Sequence, residues 1–242
     1  MSVTLCFYFG NTRRKVAVFD GDRIVETMVL ENDDTSAVQQ LIDRFHPTSS
    51  ILSSVIDHDH ALEDFLAAHT RFHKLSHLTK VRLTTPVGKP ETIGADRLAL
   101  TEGAIHFYPG KNTLVIALGT CITYNFITKT GEFTGGGISP GLMMRLKSLN
   151  DYTARLPIVP PTGNVPLIGY DTATNILSGV VLGMAFEIDG FINEYARRFS
   201  NFNVVLTGGD IVHLASHLKN KIFADPELIF KGLYAISQVN NA

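Results

Sequence analysis

The chain has almost no net charge and almost no cysteine. A formal charge of −2 and an isoelectric point near 6.5 leave no basic surface for general nucleic-acid binding. The two cysteines, Cys6 and Cys121, cannot build a disulfide framework, so they read as reduced thiols of a cytoplasmic protein. Nine histidines are present, but His58, His60, His69, His73 and His77 scatter without ligand spacing and read as solvated helix-face residues. No apolar run is seen to reach the ~18 residues of a membrane span. The N-terminus enters a strand directly, with no basic segment and no signal-peptide pattern. Low-complexity and linker-like segments are lacking too. What remains is 242 residues, 45% hydrophobic and 18% charged, enough for one large domain or two compact ones.

The most informative feature present is an internal repeat. Residues 4–12, Thr-Leu-Cys-Phe-Tyr-Phe-Gly-Asn-Thr, lie over residues 113–121, Thr-Leu-Val-Ile-Ala-Leu-Gly-Thr-Cys. The match runs on without a gap, with Val16-Ala17-Val18 over Asn125-Phe126-Ile127. Each copy reads as a buried strand, a glycine turn, a hairpin partner, a second turn and further strand. Two such copies predict two similar α/β domains, residues 1–110 and 111–242, with a ligand cleft between them. Each should carry a mixed sheet with an antiparallel meander at one end and helices on both faces.

In the first copy strands are expected at 3–9, 14–19, 23–30 and 50–56, and helices at 35–45, 61–68 and 98–108. Residues 84–90 are punctuated by Pro86, Gly88 and Pro90 and read as loop. In the second copy strands are expected at 113–118, 122–128 and 204–206, with a turn at Gly135-Gly136-Gly137. Helices are expected at 142–149, 172–199, 211–218 and about 226–239. Four prolines make 157–166 an extended segment. Gly179, Gly183 and Gly190 would let the long 172–199 helix pack closely. Its apolar residues Ile176, Val180, Phe186 and Phe191 suit a subunit interface or buried core equally.

Four short segments carry possible chemistry. Gly10-Asn11-Thr12 and Gly119-Thr120 are tight turns whose backbone N–H and hydroxyl groups suit phosphate oxygens, or are plain hairpin turns. Thr207-Gly208-Gly209 offers bare backbone to a nucleotide, or is a strand–helix turn. Gly94-Ala95-Asp96-Arg97 puts a carboxylate and a guanidinium at a helix start. Asp96 there is either a dipole-stabilised residue or a base, and Arg97 can grip an anion.

The order of these segments, with Gly135-Gly136-Gly137, Ser139-Pro140-Gly141 and Asp171-Thr172 between them, resembles the type III pantothenate kinases. These belong to the actin/sugar-kinase superfamily of duplicated, ribonuclease H-like ATPase domains. The resemblance covers nearly the whole chain and implies ATP-dependent phosphorylation of pantothenate, the first step of coenzyme A synthesis. It also implies Mg²⁺, a monovalent cation (K⁺ or NH₄⁺) and a homodimer; charge and hydropathy, read above, lead to the expectation of no nucleic-acid or membrane partner. Carried over by position, the ATP-binding residues are Tyr8, Phe9, Gly10, Asn11, Thr12, Arg13, Arg14 and Lys15, with Thr120, Gly208 and Gly209. The substrate-binding residues are Gly94, Ala95, Asp96 and Arg97, with Thr172 and Val87, and Asp96 is the proton acceptor.

Three positions depart from the family pattern. Tyr8 and Ala117, equivalent in the repeat, stand where the family has aspartates, the second tied to the monovalent cation, and Val87 stands for a substrate-contacting tyrosine. A carboxylate holds a hard cation near phosphate, and neither a phenol nor a methyl group does so at neutral pH. Reduced activity and weak K⁺ stimulation are therefore expected. The alternative is a catalytically silent regulator that binds nucleotide or pantothenate on the same fold.

Overall fold

A computed structural model of the chain describes residues 2–31, 35–86 and 88–241. The chain forms two compact units. One is built from the residues up to Pro109, Gly131–Phe133 and the stretch from Glu227, and the other from Gly110–Thr130 and Thr134–Pro226.

In the first unit β1 (Val3–Phe9), β2 (Arg14–Asp20) and β3 (Arg23–Leu30) make an antiparallel meander. Helix α1 (Thr35–Phe45) leads to β4 (Ser49–Ser54), which pairs parallel with β1; α2 (His60–His69) leads to β5 (Arg71–Lys74), parallel with β4. The sheet order is β3-β2-β1-β4-β5. Side chains alternate between its two faces, as the period of a strand requires. Leu5, Phe7, Phe9, Val16, Val18 and Leu52 meet Val38 and Leu41 of α1 and Leu62 and Leu66 of α2. Cys6, Ala17, Phe19 and Ile51 face the other way, toward Ala99 of α3 (Ala95–Phe107) and toward Phe230, Leu233 and Tyr234 of the C-terminal helix (Leu228–Asn240).

The second unit repeats the plan. Strands β6 (Asn112–Leu118), β7 (Cys121–Ile127), β8 (Phe133–Pro140), β9 (Phe202–Thr207) and β10 (Phe223–Ala224) lie in the order β10-β9-β6-β7-β8. Read in reverse, that order matches the first sheet strand for strand: β6 pairs antiparallel with β7 and parallel with β9, as β1 does with β2 and β4. Between β8 and β9 the chain forms α4 (Leu142–Asp151), α5 (Thr172–Leu177) and α6 (Gly183–Arg198), and α7 (Ile211–Leu214) follows β9. Leu114, Ile116, Tyr124 and Phe126 of the sheet pack with Leu142, Leu146, Met184, Ile188 and Ile192 of the helices.

The duplicated α/β architecture expected from the repeat is thus the one observed, and several local readings are corrected. The Gly135-Gly136-Gly137 triplet lies inside a strand, not a turn. A Cβ on Gly136 would fall 1.8 Å from the Tyr124 carbonyl oxygen, so β8 runs against β7 where only glycine fits. The long 172–199 helix is broken by a π-helical turn at Ser178–Leu182. Its Gly179, Gly183 and Gly190 do not mediate close packing within the chain; a Cβ at any of them would meet nothing within 4 Å. The C-terminal helix belongs with the first unit, where the reading of the repeat had left it in 111–242. The cause is a backbone-to-backbone approach to α3: a Cβ on Gly232 would lie 1.7 Å from the Ala99 carbonyl oxygen. His58 is not solvated. Its side chain is 4% exposed, bonds Glu63 at 2.8 Å and meets the Phe9 ring edge-on.

By length and composition alone, the Thr172–Arg198 stretch does qualify as a membrane span, which corrects the reading that no segment does. Half of its most apolar window is buried inside the protein, where α5 and α6 cover the second sheet.

Candidate active site

The first glycine turn joins β1 to β2 and is closed by a hydrogen bond from Gly10 N–H to the Arg13 carbonyl at 3.1 Å. Asn11, Thr12 and Arg13 are exposed. Phe9 points into the core, so Tyr8 points to the opposite face. Its phenol folds back over the turn: a Cβ on Gly10 would lie 3.1 Å from Tyr8 Cε1 and 3.2 Å from its hydroxyl oxygen. Tyr8 pairs with Lys15 on β2 and with Ser53 on β4. Ser53 is fully buried and its hydroxyl has no hydrogen-bond partner. Burial, and then the charge of Asp96, push the Tyr8 phenol up to about 12, so it stays protonated at neutral pH. Burial, and then the neighbouring Arg13, hold the Lys15 ammonium below its ordinary value.

Asp96 lies in the first turn of α3, whose N-cap Gly94 offers no side chain. The carboxylate takes over part of the capping by accepting from Arg97 N–H at 2.9 Å. The Arg97 guanidinium lies over the Phe133 ring, 5.3 Å from its centroid. Six residues on, fully buried Glu102 accepts from Leu83 N–H at 2.7 Å. That bond ties α3 to the strap that leads into it. The strap continues through Thr84 and Thr85, which bond the backbone of Gly131 and Phe133. Val87, also expected to bind substrate, lies outside the described residues.

The second turn, Gly119-Thr120, joins β6 to β7 and is enclosed by glycine backbone. A Cβ on Gly208 would lie 2.2 Å from the Leu118 carbonyl oxygen, and one on Gly141 would lie 2.1 Å from that of Gly119. Gly208 has φ +101°, a conformation other residues adopt only under strain. Gly141 N–H donates to the Thr120 carbonyl and Asp210 N–H to that of Leu118. Thr120 and Gly208-Gly209, far apart in sequence, are thereby brought to the same sheet end. Ala117 is flanked in register by Thr123 and Thr207 and presents only a methyl group.

Thr172 is placed differently, at the start of α5, lining a cavity of ≈ 660 Å³ with Arg145, Ser148, Leu156, Asn175 and Gly179. Asp171 before it caps the helix, accepting from Thr174 N–H at 2.8 Å and from the Thr174 hydroxyl at 2.7 Å; these bonds hold its carboxyl below the usual range. Arg145 also donates from Nε to the Pro140 carbonyl at 2.8 Å, and from Nη2 to Ser139 Oγ and to Glu187. Tyr124 donates to the other Glu187 oxygen at 3.0 Å. This network anchors the segment that ends in Gly141, behind the second turn.

The donor set does not suit a protein-held metal. Among the described residues no three His, Cys, Asp or Glu side chains gather to hold one. At the two repeat-equivalent positions the side chains are a protonated phenol and a methyl group.

Residue types alone do not single out Ser53, Glu102 or the Arg145–Glu187 pair. Ser53 sits in an ordinary strand, Ser-Ser-Ile-Leu-Ser-Ser, and only its register opposite Tyr8 singles it out. Gly141 was noticed only as part of a helix-leading turn.

The type III pantothenate kinase family model matches residues 4–194. Proteins described as type III pantothenate kinase from Flavobacterium johnsoniae and Bacteroides fragilis are 40% and 38% identical to the chain. The first alignment covers 93% of each chain and the second 99% of each. Among solved structures, a conserved Baf family protein from Campylobacter jejuni matches with a TM-score of 0.60 at 21% identity, over 98% of each chain. A glucokinase from an Antarctic psychrotroph matches with a TM-score of 0.52 at 10% identity, over 97% of this chain and 98% of that one. The fold is that of the actin/sugar-kinase group, and the chain belongs to the type III pantothenate kinase family.

Proposed function

We propose that the chain transfers the γ-phosphoryl group of ATP to the primary hydroxyl of pantothenate, giving 4′-phosphopantothenate and ADP. Asp96 takes the hydroxyl proton, the freed oxygen attacks the γ-phosphorus, and the bond to the β-phosphate oxygen breaks. Arg97 holds the substrate carboxylate, with Gly94, Ala95 and Thr172 as further substrate contacts. The turn residues 8–15 receive phosphate oxygens, and Thr120, Gly208 and Gly209 contact the rest of the nucleotide. The ATP phosphates themselves would hold Mg²⁺, which would neutralise part of their charge. The observation that carries the reading, beside family membership, is that Tyr8 of the first turn and Ala95, which precedes Asp96 at the start of α3, pack against the same buried cluster. The protein is cytoplasmic and works as a homodimer. What supports the dimer is the half-exposed Phe186, with Phe191, Gly179, Gly183 and Gly190 also open on the same helical stretch.

A coupled assay for ADP with pantothenate, Mg-ATP and K⁺ tests the reading. Asp96→Asn should lower turnover by about 10²–10⁴-fold while leaving nucleotide binding in place. With Ala117 lacking a ligand atom, added K⁺ or NH₄⁺ should stimulate little. Tyr8 and Ala117 favour one other reading, the silent binding protein. It wins if the wild-type chain binds ATP with no turnover and Asp96→Asn changes nothing.

A further inference from the structure

The face of the first sheet that packs on α3 changes character in one step. One row across the strands is Ala17, Cys6 and Ile51, all fully buried. The next row, two residues on in β1 and β4 and two back in β2, is Lys15, Tyr8 and Ser53. Register partners on adjacent strands project from the same face, so an ammonium, a phenol and a hydroxyl stand side by side there. Asp96 acts electrostatically on the middle one. Ser53 is wholly buried and its hydroxyl has no protein partner, whereas buried hydroxyls are ordinarily hydrogen-bonded.

We propose that the Tyr8 and Ser53 hydroxyls form a neutral two-donor subsite for an oxygen of the transferred phosphoryl group, with Lys15 beside them supplying positive charge. This rests on the kinase reading above. The phenol lies over the Gly10 turn and Ser53 is sealed. As the anion enters, the phenol turns aside, and the same oxygen satisfies both hydroxyls. A row with no carboxylate cannot hold a metal, yet it can supply the hydrogen-bond donors that a developing phosphoryl charge needs. Burial also favours the arrangement, since it keeps the phenol in its donating form.

Tyr8→Phe keeps the ring and Ser53→Ala removes a buried hydroxyl with no protein partner. Both variants should therefore melt at or above the wild-type temperature without ligand. Each should lower kcat by about 10²-fold, with an unchanged KM for pantothenate and an unchanged half-saturating Mg²⁺ concentration. Each should also lose most of the thermal protection given by ATP. Wild-type kcat in both variants overturns the proposal. So does a rise confined to the KM for pantothenate, which would assign the donors to the substrate carboxylate. The kinase reading fails separately. If the wild-type chain has no turnover, calorimetric titration with ATP still decides the subsite, because Ser53→Ala must weaken binding at least tenfold while Asp96→Asn must not.

Discussion

The two glycine turns occupy equivalent places in sheets of the same strand order, and the chain has furnished them in opposite ways. Around Gly10 the backbone is open and the side chains are rich: Tyr8 over the turn, Lys15 and Ser53 beside it, Asp96 close enough to act on the phenol. Around Gly119 the side chains are spare and the backbone is crowded, with Ala117 in place of the phenol and Gly141 and Gly208 pressed against the carbonyls of Gly119 and Leu118. A duplicated scaffold sets where a phosphate-sized turn occurs. What fills the space around it decides whether recognition relies on side-chain charge or on backbone shape. The first arrangement suits bond-making chemistry, and the second suits the flat surface of a nucleotide.

The sharpest way to break that comparison is to add one methyl group to each turn's surroundings. In Gly208→Ala the new Cβ would fall 2.2 Å from a carbonyl oxygen that belongs to the sheet, at a φ that alanine resists. We expect a loss of about 3 kcal/mol or more, from strain and overpacking together. Gly10→Ala meets only the far end of the Tyr8 ring, at 3.1 Å, which can swing away, and should cost less than about 1 kcal/mol. Chemical denaturation of the two variants reads the difference. Equal losses would mean that the two turns are not supported differently.

This contrast was only partly legible in the sequence. The repeat was, because buried strands and glycine turns leave a local pattern, and β1 and β6 came out in the register that pattern implies. What stayed hidden depended on backbone proximity between segments distant in the chain. Gly136 reads as a turn residue until Tyr124 is seen beside it. The C-terminal helix reads as part of the second half until Gly232 is seen against Ala99. In the candidate site, Asp96 was singled out from its helix start and the family resemblance, and Tyr8 from the repeat and its departure from the family pattern. Ser53 was not, since an unpaired hydroxyl is a property of the fold rather than of the residue. Thr172 was expected, from the resemblance, to contact substrate; it lies on a cavity wall, and nothing local announced Arg145 as its companion there.

A smaller effect is expected from the support behind the second turn. Arg145 and Tyr124 donate to Glu187, whose side chain is 23% exposed, and Arg145 also donates to Ser139 Oγ. Burial raises its carboxyl, but the hydrogen bonds from Arg145, Ser139 and Tyr124 outweigh that and hold it below the ordinary range. Glu187→Gln should cost about 2 kcal/mol, the worth of a charge-assisted bond lost inside a partly buried network. A depressed carboxyl contributes stability that is present above its unfolded value and lost as pH falls through the folded one. The deficit of the variant should therefore shrink in acid, and urea midpoints that differ by the same amount at every pH would contradict the network's role.

The first unit holds the opposite case. Glu102 is fully buried, with one oxygen bonded to Leu83 N–H and the other lacking a partner. Burial raises its carboxyl, and the Leu83 N–H bond together with the nearby Arg82 backbone and charge does not cancel the rise. A raised carboxyl binds its proton more tightly in the folded chain than in the unfolded one. Its contribution is therefore fully present below the unfolded value and is lost as pH climbs through the folded value, the reverse of Glu187. Glu102→Gln keeps an oxygen for Leu83 and carries no charge to desolvate. Its melting temperature should match wild type in acid and exceed it by about 2 °C near neutrality, a shift on the order of 1 kcal/mol for a chain of this size. Melting curves from acid to neutral pH test this. If the variant is the less stable one near neutrality, the Glu102 carboxylate is paired in solution and its strap is held by charge.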